Sequence, residues 1–480
     1  MWLSAHLPRL PLEVFTRGAP DGDPLAVGTG PGAHPRVIAC NPPARARGVS
    51  PGMAVGAAHA LVDDLQVQSR DEAAERRALE RLGAWAGQFT STVSLAAPDT
   101  LLLEIQGSLT LFGGPEALAR QVGDGLAVLG HEADLALAPT PLAATWLARA
   151  RSGTTPIVTR RGALVKALAG LPLAVVDLEP EALATLAGSG LRRLGECLRL
   201  PREGLARRLG PAWVRTLDQA LGHVSDPRPA FQPPARFEGH LMLPAEVDDV
   251  ERVLFAVHRL VMELTGVLQA RAGAVQALEL VLVHGGGDRT RIPLELATPV
   301  RDSRHLLALL RARLERVALP APVREVALVA ERLLAPEEGT RDWVEPARGA
   351  VQDVHRLVER LQARLGAQAV RGVCQVDEHR PERAWRTCEP GESGADVAAG
   401  HRPLWLLAEP ALLAVREGRP WLNREPLVLE ADRERIESGW WDGCDVARDY
   451  FIARDARGAR LWIYRELRGE RRWFLQGVFG

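Results

Sequence analysis

Twelve basic side chains fall between Arg149 and Arg215: Arg149, Arg151, Arg160, Arg161, Lys166, Arg192, Arg193, Arg199, Arg202, Arg207, Arg208 and Arg215. Only five acids accompany them (Asp177, Glu179, Glu181, Glu196, Glu203), which leaves an excess of seven positive charges. Such a run can neutralise phosphates along a nucleic-acid backbone, or it can be a solvated arginine-rich helical face. Lys166 is the only lysine among 59 basic residues. Arginine's planar fork suits phosphate and base edges, although a genome-wide preference for arginine gives the same composition. Five cysteines (Cys40, Cys197, Cys374, Cys388, Cys444) stand without CxxC spacing, which predicts buried thiols in a reducing compartment and no zinc site. The glycine-rich GTGPG at Gly28–Gly32 is read as a bare turn without strand before and helix after, so it is not a dinucleotide loop. Gln106–Phe112, QGSLTLF, has the spacing of a sliding-clamp peptide, but Leu and Phe there are also what a core between a strand and a helix would use.

These residues need elements to hold them. At ~150 residues per domain, 480 residues imply about three domains. A hydrophobic content of 46% with 25% charged residues excludes a disordered or collagen-like chain, and a net charge of −1 excludes one that is basic all over. No uninterrupted apolar run reaches the ~18 residues of a membrane helix. The start MWLSAHLPRLPLEVF lacks a basic region before an apolar core, so no secretory leader is expected.

Apolar runs WLSAHL, TLLLEI and ADLALAP read as strands, and ALVDDL and Asp71–Gln88 as helices. Helical segments broken by Gly and Pro fill Gly162–Gly222, and DPRPAFQPPARF reads as a linker. Beyond it the periodicity gives strand Phe237–Leu243, helix Val247–Ala270, strand Val275–Val283, turn HGGGDR, strand Ile292–Ala297, helix Ser303–Val317 and strand Val323–Ala330. That order is the β-α-β-β-α-β of a split βαβ unit. A second linker precedes the amphipathic helix Val351–Leu365. The chain then closes on a strand-like run holding both tyrosines and four of the twelve tryptophans.

ACNPPARARGVSPGMAVGAAHALVDDL resembles the fingers motif of Y-family translesion DNA polymerases, and GLRRLGECLRLPREGLARRLG resembles that family's second helical thumb repeat. The closing GWWDG, RDYF, LWIYRE and WFLQGVFG segments resemble the C-terminus of ImuB-type members, polymerase-like proteins of a damage-inducible (SOS) mutagenesis cassette. The resemblance implies an α+β, multidomain fold with these bounds: palm 1–160, with fingers inserted at about 17–70, and helical thumb 161–226. A linker at 227–236, a little finger at 237–334 and a second linker at 335–350 would follow, and then an aromatic-rich, partner-docking extension at 351–480.

Under this resemblance the first palm motif, Asp-x-Asp, falls on His6 and Pro8, and the second, Asp-Glu, on Asp99 and Thr100. A fingers tyrosine falls on Pro42, a neighbouring arginine on Arg45, the phosphate-contacting lysine on Thr145 and the steric gate near Pro11. Two divalent ions need several carboxylates, so the expectation is a catalytically silent homologue with no metal and no cofactor. DNA contacts are expected from Arg192, Arg193, Arg202, Arg207 and Arg208 in the thumb, with Asp177 standing where its hairpin would meet a phosphate. Arg301, Arg304, Arg311 and Arg313 are the candidates in the little finger. Trp440, Trp441, Tyr450, Phe451, Trp462, Tyr464 and Trp473 are expected to bind partners. Those implied are primed or single-stranded DNA, a RecA-fold ImuA-like protein, an ImuC-type C-family polymerase and the sliding clamp, in the cytoplasm on the nucleoid. A polymerase with a rearranged metal site and a partner-free damaged-DNA-binding protein are the alternatives.

Overall fold

In β1 (Trp2–His6) the side chains alternate between two packed faces, Leu3 and Ala5 to one and Ser4 and His6 to the other. The computed structural model describes residues 1–17, 22–30, 34–151, 153–335, 347–395, 402–403 and 405–479. It divides into two units, Met1–Asp353 and Val354–Gly480.

After β1 come α1 (Leu10–Thr16), β2 (Leu25–Gly28), β3 (Val37–Cys40), α2 (Pro42–Ala46), α3 (Val55–Leu61) and β4 (Gln66–Ser69). Then follow α4 (Glu72–Ala86), β5 (Val93–Ala96), β6 (Thr100–Glu104), α5 (Pro115–Val128), β7 (Asp134–Ala138) and α6 (Pro141–Arg149). The main sheet has the order β5-β6-β1-β7, and β3-β2-β4 form an inserted sheet. One face of the main sheet is sealed by Leu79, Leu82 and Trp85 of α4 with Leu118, Val122 and Leu126 of α5. The opposite face carries α6, whose Trp146 is fully buried. ALVDDL is not a helix of its own. The helix ends at Leu61, and Val62 turns extended. A strand does precede Gly28, contrary to expectation, but antiparallel β3 follows it where a dinucleotide loop would have a helix.

Helices α7 (Leu164–Ala169), α8 (Pro180–Gly188), α9 (Leu194–Leu198), α10 (Arg202–Leu209) and α11 (Pro211–Leu221) build a small module. Its Leu164, Leu168, Leu194, Trp213 and Leu217 share one core with Trp146. The split βαβ unit follows as β8 (Phe237–Val247), α12 (Val250–Ala270), β9 (Val275–His284), β10 (Arg289–Val300), α13 (Ser303–Leu314) and β11 (Val323–Ala330). Its sheet order is β10-β9-β11-β8. The strand before α12 runs to Val247, and the helix starts only at Val250 because Asp249 accepts from the Glu251 N–H at 3.0 Å. By length and composition α12 could cross a membrane. Here it is a core helix, with Val253, Val257, Leu260, Val261 and Leu264 buried.

The unit is clamped to α4. At Gly266 an added Cβ would lie 2.1 Å from Trp85, so only glycine permits this approach of the two helices. Beside it, fully buried Glu263 meets Arg17 at 2.7 Å and Arg81 at 2.9 Å. Arg17 donates to His131 Nε2 at 2.6 Å, and His131 Nδ1 lies 2.7 Å from Glu13. Because Nε2 accepts from an arginine, the ring is neutral with its proton on Nδ1. Burial first, then Arg17, hold its pKa below the ordinary imidazole value. Burial works to raise Glu263, but Arg17 and Arg81 outweigh it and the carboxyl stays ionised below its usual pKa. The proline-rich linker is also docked, the Phe231 N–H donating to the Val93 carbonyl at 2.7 Å.

α14 (Ala347–Leu365), whose residues from Val354 on belong to the second unit, leads to the paired strands β12 (Gly372–Gln375) and β13 (Trp385–Cys388). Residues 336–346 of the expected second linker lie outside the described residues. Cys374 and Cys388, expected as separate thiols, form a disulfide with Cα atoms 5.9 Å apart, a separation normal for that bond. Beyond lie β14 (Trp405–Arg416), β15 (Arg419–Leu422), β16 (Glu425–Pro426), β17 (Val428–Ser438), β18 (Val446–Arg454), β19 (Arg460–Glu466) and β20 (Trp473–Val478). They form one antiparallel sheet ordered β16-β15-β14-β20-β19-β18-β17. Tyr450, Tyr464 and Phe474 are successive cross-strand partners on one face, with Trp462 stacked 4.3 Å from Tyr450. Phe451 and Trp473 meet at 5.3 Å on the other.

Candidate functional site

The ends of three adjacent strands set the geometry around His6. In register, His6 of β1 lies opposite Thr100 of β6 and Asp134 of β7. Cross-strand partners project to the same face, and this is the face that carries α6. Asp99, just before β6, is brought to His6 Nδ1 at 3.3 Å and accepts from the Thr100 hydroxyl at 2.8 Å. Partial burial works to raise the Asp99 carboxyl, but His6, Thr100 and the positive field of Arg149 hold it below the usual range. Asp134 turns to Arg151, at 3.2 Å. Among the described residues, no third acid, cysteine or imidazole joins His6 and Asp99 within 4.8 Å.

A pair of divalent cations would not fit these donors. One carboxylate is offered, already engaged by a hydroxyl and an imidazole, and neutral imidazole is a poor ligand for hard Mg²⁺. Pro8 sits in the turn after β1 and has no side-chain ligand atom. About four positive charges would enter a site holding one negative group, beside the Arg149 guanidinium.

The surrounding positions follow suit. Thr145 is buried, its hydroxyl donating to the Pro141 carbonyl at 2.9 Å within α6. Pro42 opens α2 behind the cap Asn41, and Arg45 is exposed on that helix. Pro11 lies in the first turn of α1. Asp177 accepts from Arg149 at 2.6 Å and from the Trp146 indole at 3.4 Å. The hairpin position that could present N–H groups to a phosphate therefore holds a carboxylate with a cation already on it.

The arginines expected to meet DNA divide into two sets. Arg192, Arg208, Arg301 and Arg304 are exposed and form no side-chain ion pair among the described residues. Arg202 is paired with Asp218, Arg207 lies 3.9 Å from Glu203, and Arg193 donates to the Gly170 carbonyl. Arg311 is exposed and held by Glu251 and by Glu315 at 3.0 Å. Arg313 is half-buried.

The aromatic group is corrected more sharply. Tyr450, Trp462, Tyr464 and Trp473 are buried in the second unit's core and Phe451 packs against it, so none presents a free face. Of the seven, only Trp440 and Trp441 stand out, 79% and 58% exposed in the turn after β17. That turn is fixed from beneath by buried Arg380, which donates to Asp442 at 2.9 and 2.7 Å and to the Cys444 carbonyl. Arg380 first, then the Cys444 N–H, hold the Asp442 carboxyl at about 2. In QGSLTLF, Leu109 and Phe112 pack on the core of the main sheet, and Leu111 points out.

Sequence reasoning did not find the Glu263 cluster. Its one trace is an acid interrupting the apolar stripe of α12. Nothing in the spacing of Cys374 and Cys388 marks their pairing.

Residues 14–149 match the impB/mucB/samB family. Over 460 residues the chain is 31% identical to Protein ImuB from two strains of Caulobacter vibrioides, covering 90% of this chain and 100% of those proteins. An insertion ternary complex of Dbh DNA polymerase matches with a TM-score of 0.40 at 16% identity, over 70% of this chain and 99% of that one. DinB from Sulfolobus solfataricus matches over the same shares, with a TM-score of 0.39 at 15% identity.

Proposed function

The chain belongs to the ImuB-type family of Y-family polymerase homologues, and from that premise we propose that it is a non-catalytic, DNA-binding assembly hub for error-prone translesion synthesis. The observation that carries this reading is the donor set at His6, Asp99 and Thr100, where one carboxylate stands in place of several. Nucleotidyl transfer without a metal pair leaves the 3′-hydroxyl unactivated and the triphosphate charge unanswered. The domains take the roles of palm, fingers, thumb and little finger, with residues 354–480 as the partner-docking extension. ImuA-like and ImuC-type proteins are the proposed partners, in the cytoplasm at the nucleoid. The sliding clamp is a weaker candidate, because Leu109 and Phe112 of QGSLTLF lean on the core.

The test is primer extension. With Mg²⁺ or Mn²⁺, the purified chain is expected to add no nucleotide above a mock preparation, and Asp99→Ala to change nothing. Distributive extension that Asp99→Ala abolishes would overturn the non-catalytic reading.

DNA binding should be weak and carried by the phosphate backbone. Each phosphate that the protein neutralises contributes a log–log salt slope of about −0.9 on duplex and about −0.7 on single strands. Replacing Arg192, Arg208, Arg301 and Arg304 with alanine is expected to flatten the slope by roughly one such increment for each phosphate left without its arginine. Arg311→Ala should flatten it less than the same change at an unpaired arginine, because Glu251 and Glu315 share that guanidinium. A slope that only Arg311→Ala flattens would place the basic surface elsewhere.

A further inference from the structure

Helix α14 turns its apolar side outward. Val354, Leu357, Leu361 and Leu365 are 57%, 53%, 38% and 54% exposed. Their spacing of three and four residues sets them in one stripe along the helix. The side that packs inward is built from Ala363 and Glu359, both buried, with His355 and Gln362 half-buried. The usual pattern, apolar in and polar out, is thus reversed. About three turns of unpartnered leucine and valine is a feature soluble proteins keep for an interface.

Charge says what kind of partner fits. Arg356, Arg360 and Arg364 recur every fourth residue along one border of the stripe, all exposed and without an ion pair among the described residues. From Val354 onward no acid stands on that border. The single acid between Val354 and Leu365 is Glu359, which lies on the buried side. A second copy of α14 would set its own arginine row against this one, and like charges alongside an apolar seam disfavour pairing. On the other border His355, Val358 and Gln362 are half-buried, so the open surface is a single stripe.

We propose that α14 is a docking site for an acidic amphipathic helix of a partner protein. Its leucines would lie on Val354, Leu357, Leu361 and Leu365, and its carboxylates would face Arg356, Arg360 and Arg364. This site is separate from the Trp440–Trp441 turn. It deepens the hub reading by giving one partner a chemistry, and its test uses neither DNA nor polymerisation, so the two can fail independently.

The probes are two synthetic 21-residue helical peptides with the same leucine stripe, one flanked by glutamates and its twin by lysines. With the full chain at low salt, the acidic peptide is expected to bind at least about tenfold tighter than its twin, and the difference should shrink as salt screens the pairs. Leu357→Asp with Leu361→Asp should cut acidic-peptide binding about tenfold or more while leaving the melting temperature unchanged, since both side chains are exposed. Replacing Arg356, Arg360 and Arg364 with glutamate should invert the preference between peptides. Equal affinity for both peptides, no binding of either, or full retention by the leucine variant would overturn the proposal. So would a dimeric chain made monomeric by Leu361→Asp, or capture by anionic phosphatidylglycerol vesicles, lost in the leucine variant, in place of the acidic peptide.

Discussion

Glu263→Ala is expected to destabilise the first unit by about 3–5 kcal/mol, the usual cost of removing one partner from a buried ion cluster. The carboxylate is fully buried between Arg17 and Arg81, and the variant would strand two guanidiniums away from water. Glu263→Gln keeps a hydrogen-bond acceptor and should cost less, while replacing Glu263 and both arginines together with apolar residues should be nearer neutral. Denaturant midpoints for the three variants decide the matter. A Glu263→Ala cost below about 1 kcal/mol would mean the cluster contributes nothing to stability. The cluster ties α1 and α4 to α12, so the alanine variant should also loosen the linker and open the Arg236–Phe237 bond to limited trypsin cleavage. Acid should act on the same place. His131 is held below its ordinary pKa, so the unfolded chain takes up that proton first. Stability is then full above about pH 6.5 and falls as the pH drops below it, with Glu263 adding to the loss at lower pH.

The parts of this molecule that could be read from sequence are those fixed by local pattern. The runs WLSAHL, TLLLEI and ADLALAP became β1, β6 and β7 because short leucine- and alanine-rich segments of that length bury on both faces of a covered sheet. The change from period two to period 3.6 and back gave the split βαβ order with its ends within a few residues. Where reading failed, the deciding interaction was distant in the chain. Arg17 and Glu263 are 246 positions apart, and neither is unusual in its own segment. Cys374 and Cys388 meet because β12 and β13 pair, and no sequence motif announces that pairing. Arg311 looked free until α12 placed Glu251 beside it. At positions 6, 8, 99 and 100 the sequence shows the residue types. That Asp99 would be satisfied by His6 and Thr100 was legible only in the structure.

The aromatic tail should separate into two kinds of tryptophan under mutation. Trp462 is 2% exposed and stacked on Tyr450, whose hydroxyl donates to Gln476 at 2.6 Å and whose phenol pKa is raised by burial. Removing so large a side chain from a closed core leaves a cavity, and Trp462→Ala is expected to cost about 3–5 kcal/mol in the second unit. The cost arises because its cross-strand partners Ile452 and Gly477 cannot collapse into the gap without breaking strand register. Trp440 and Trp441 pack edge to face in an exposed turn and bury little. Replacing both with alanine should change stability by no more than about 0.5 kcal/mol, yet weaken retention of an ImuA-like or ImuC-type partner in a pull-down, because exposed tryptophans on a rigid turn are what interfaces use as anchors. The turn is rigid for a stated reason: Arg380 bridges Asp442 and the Cys444 carbonyl beneath it, and at Gly439 any Cβ would strike that guanidinium at 2.5 Å. Arg380→Ala should therefore mimic the loss of the tryptophans in the pull-down while leaving their side chains in place. Ending the chain at Ala335 should yield a folded body that binds DNA and retains neither partner. A stable truncation that keeps both, or a double-tryptophan variant with undiminished retention, would remove the docking role from this turn and leave the tail aromatics as core alone.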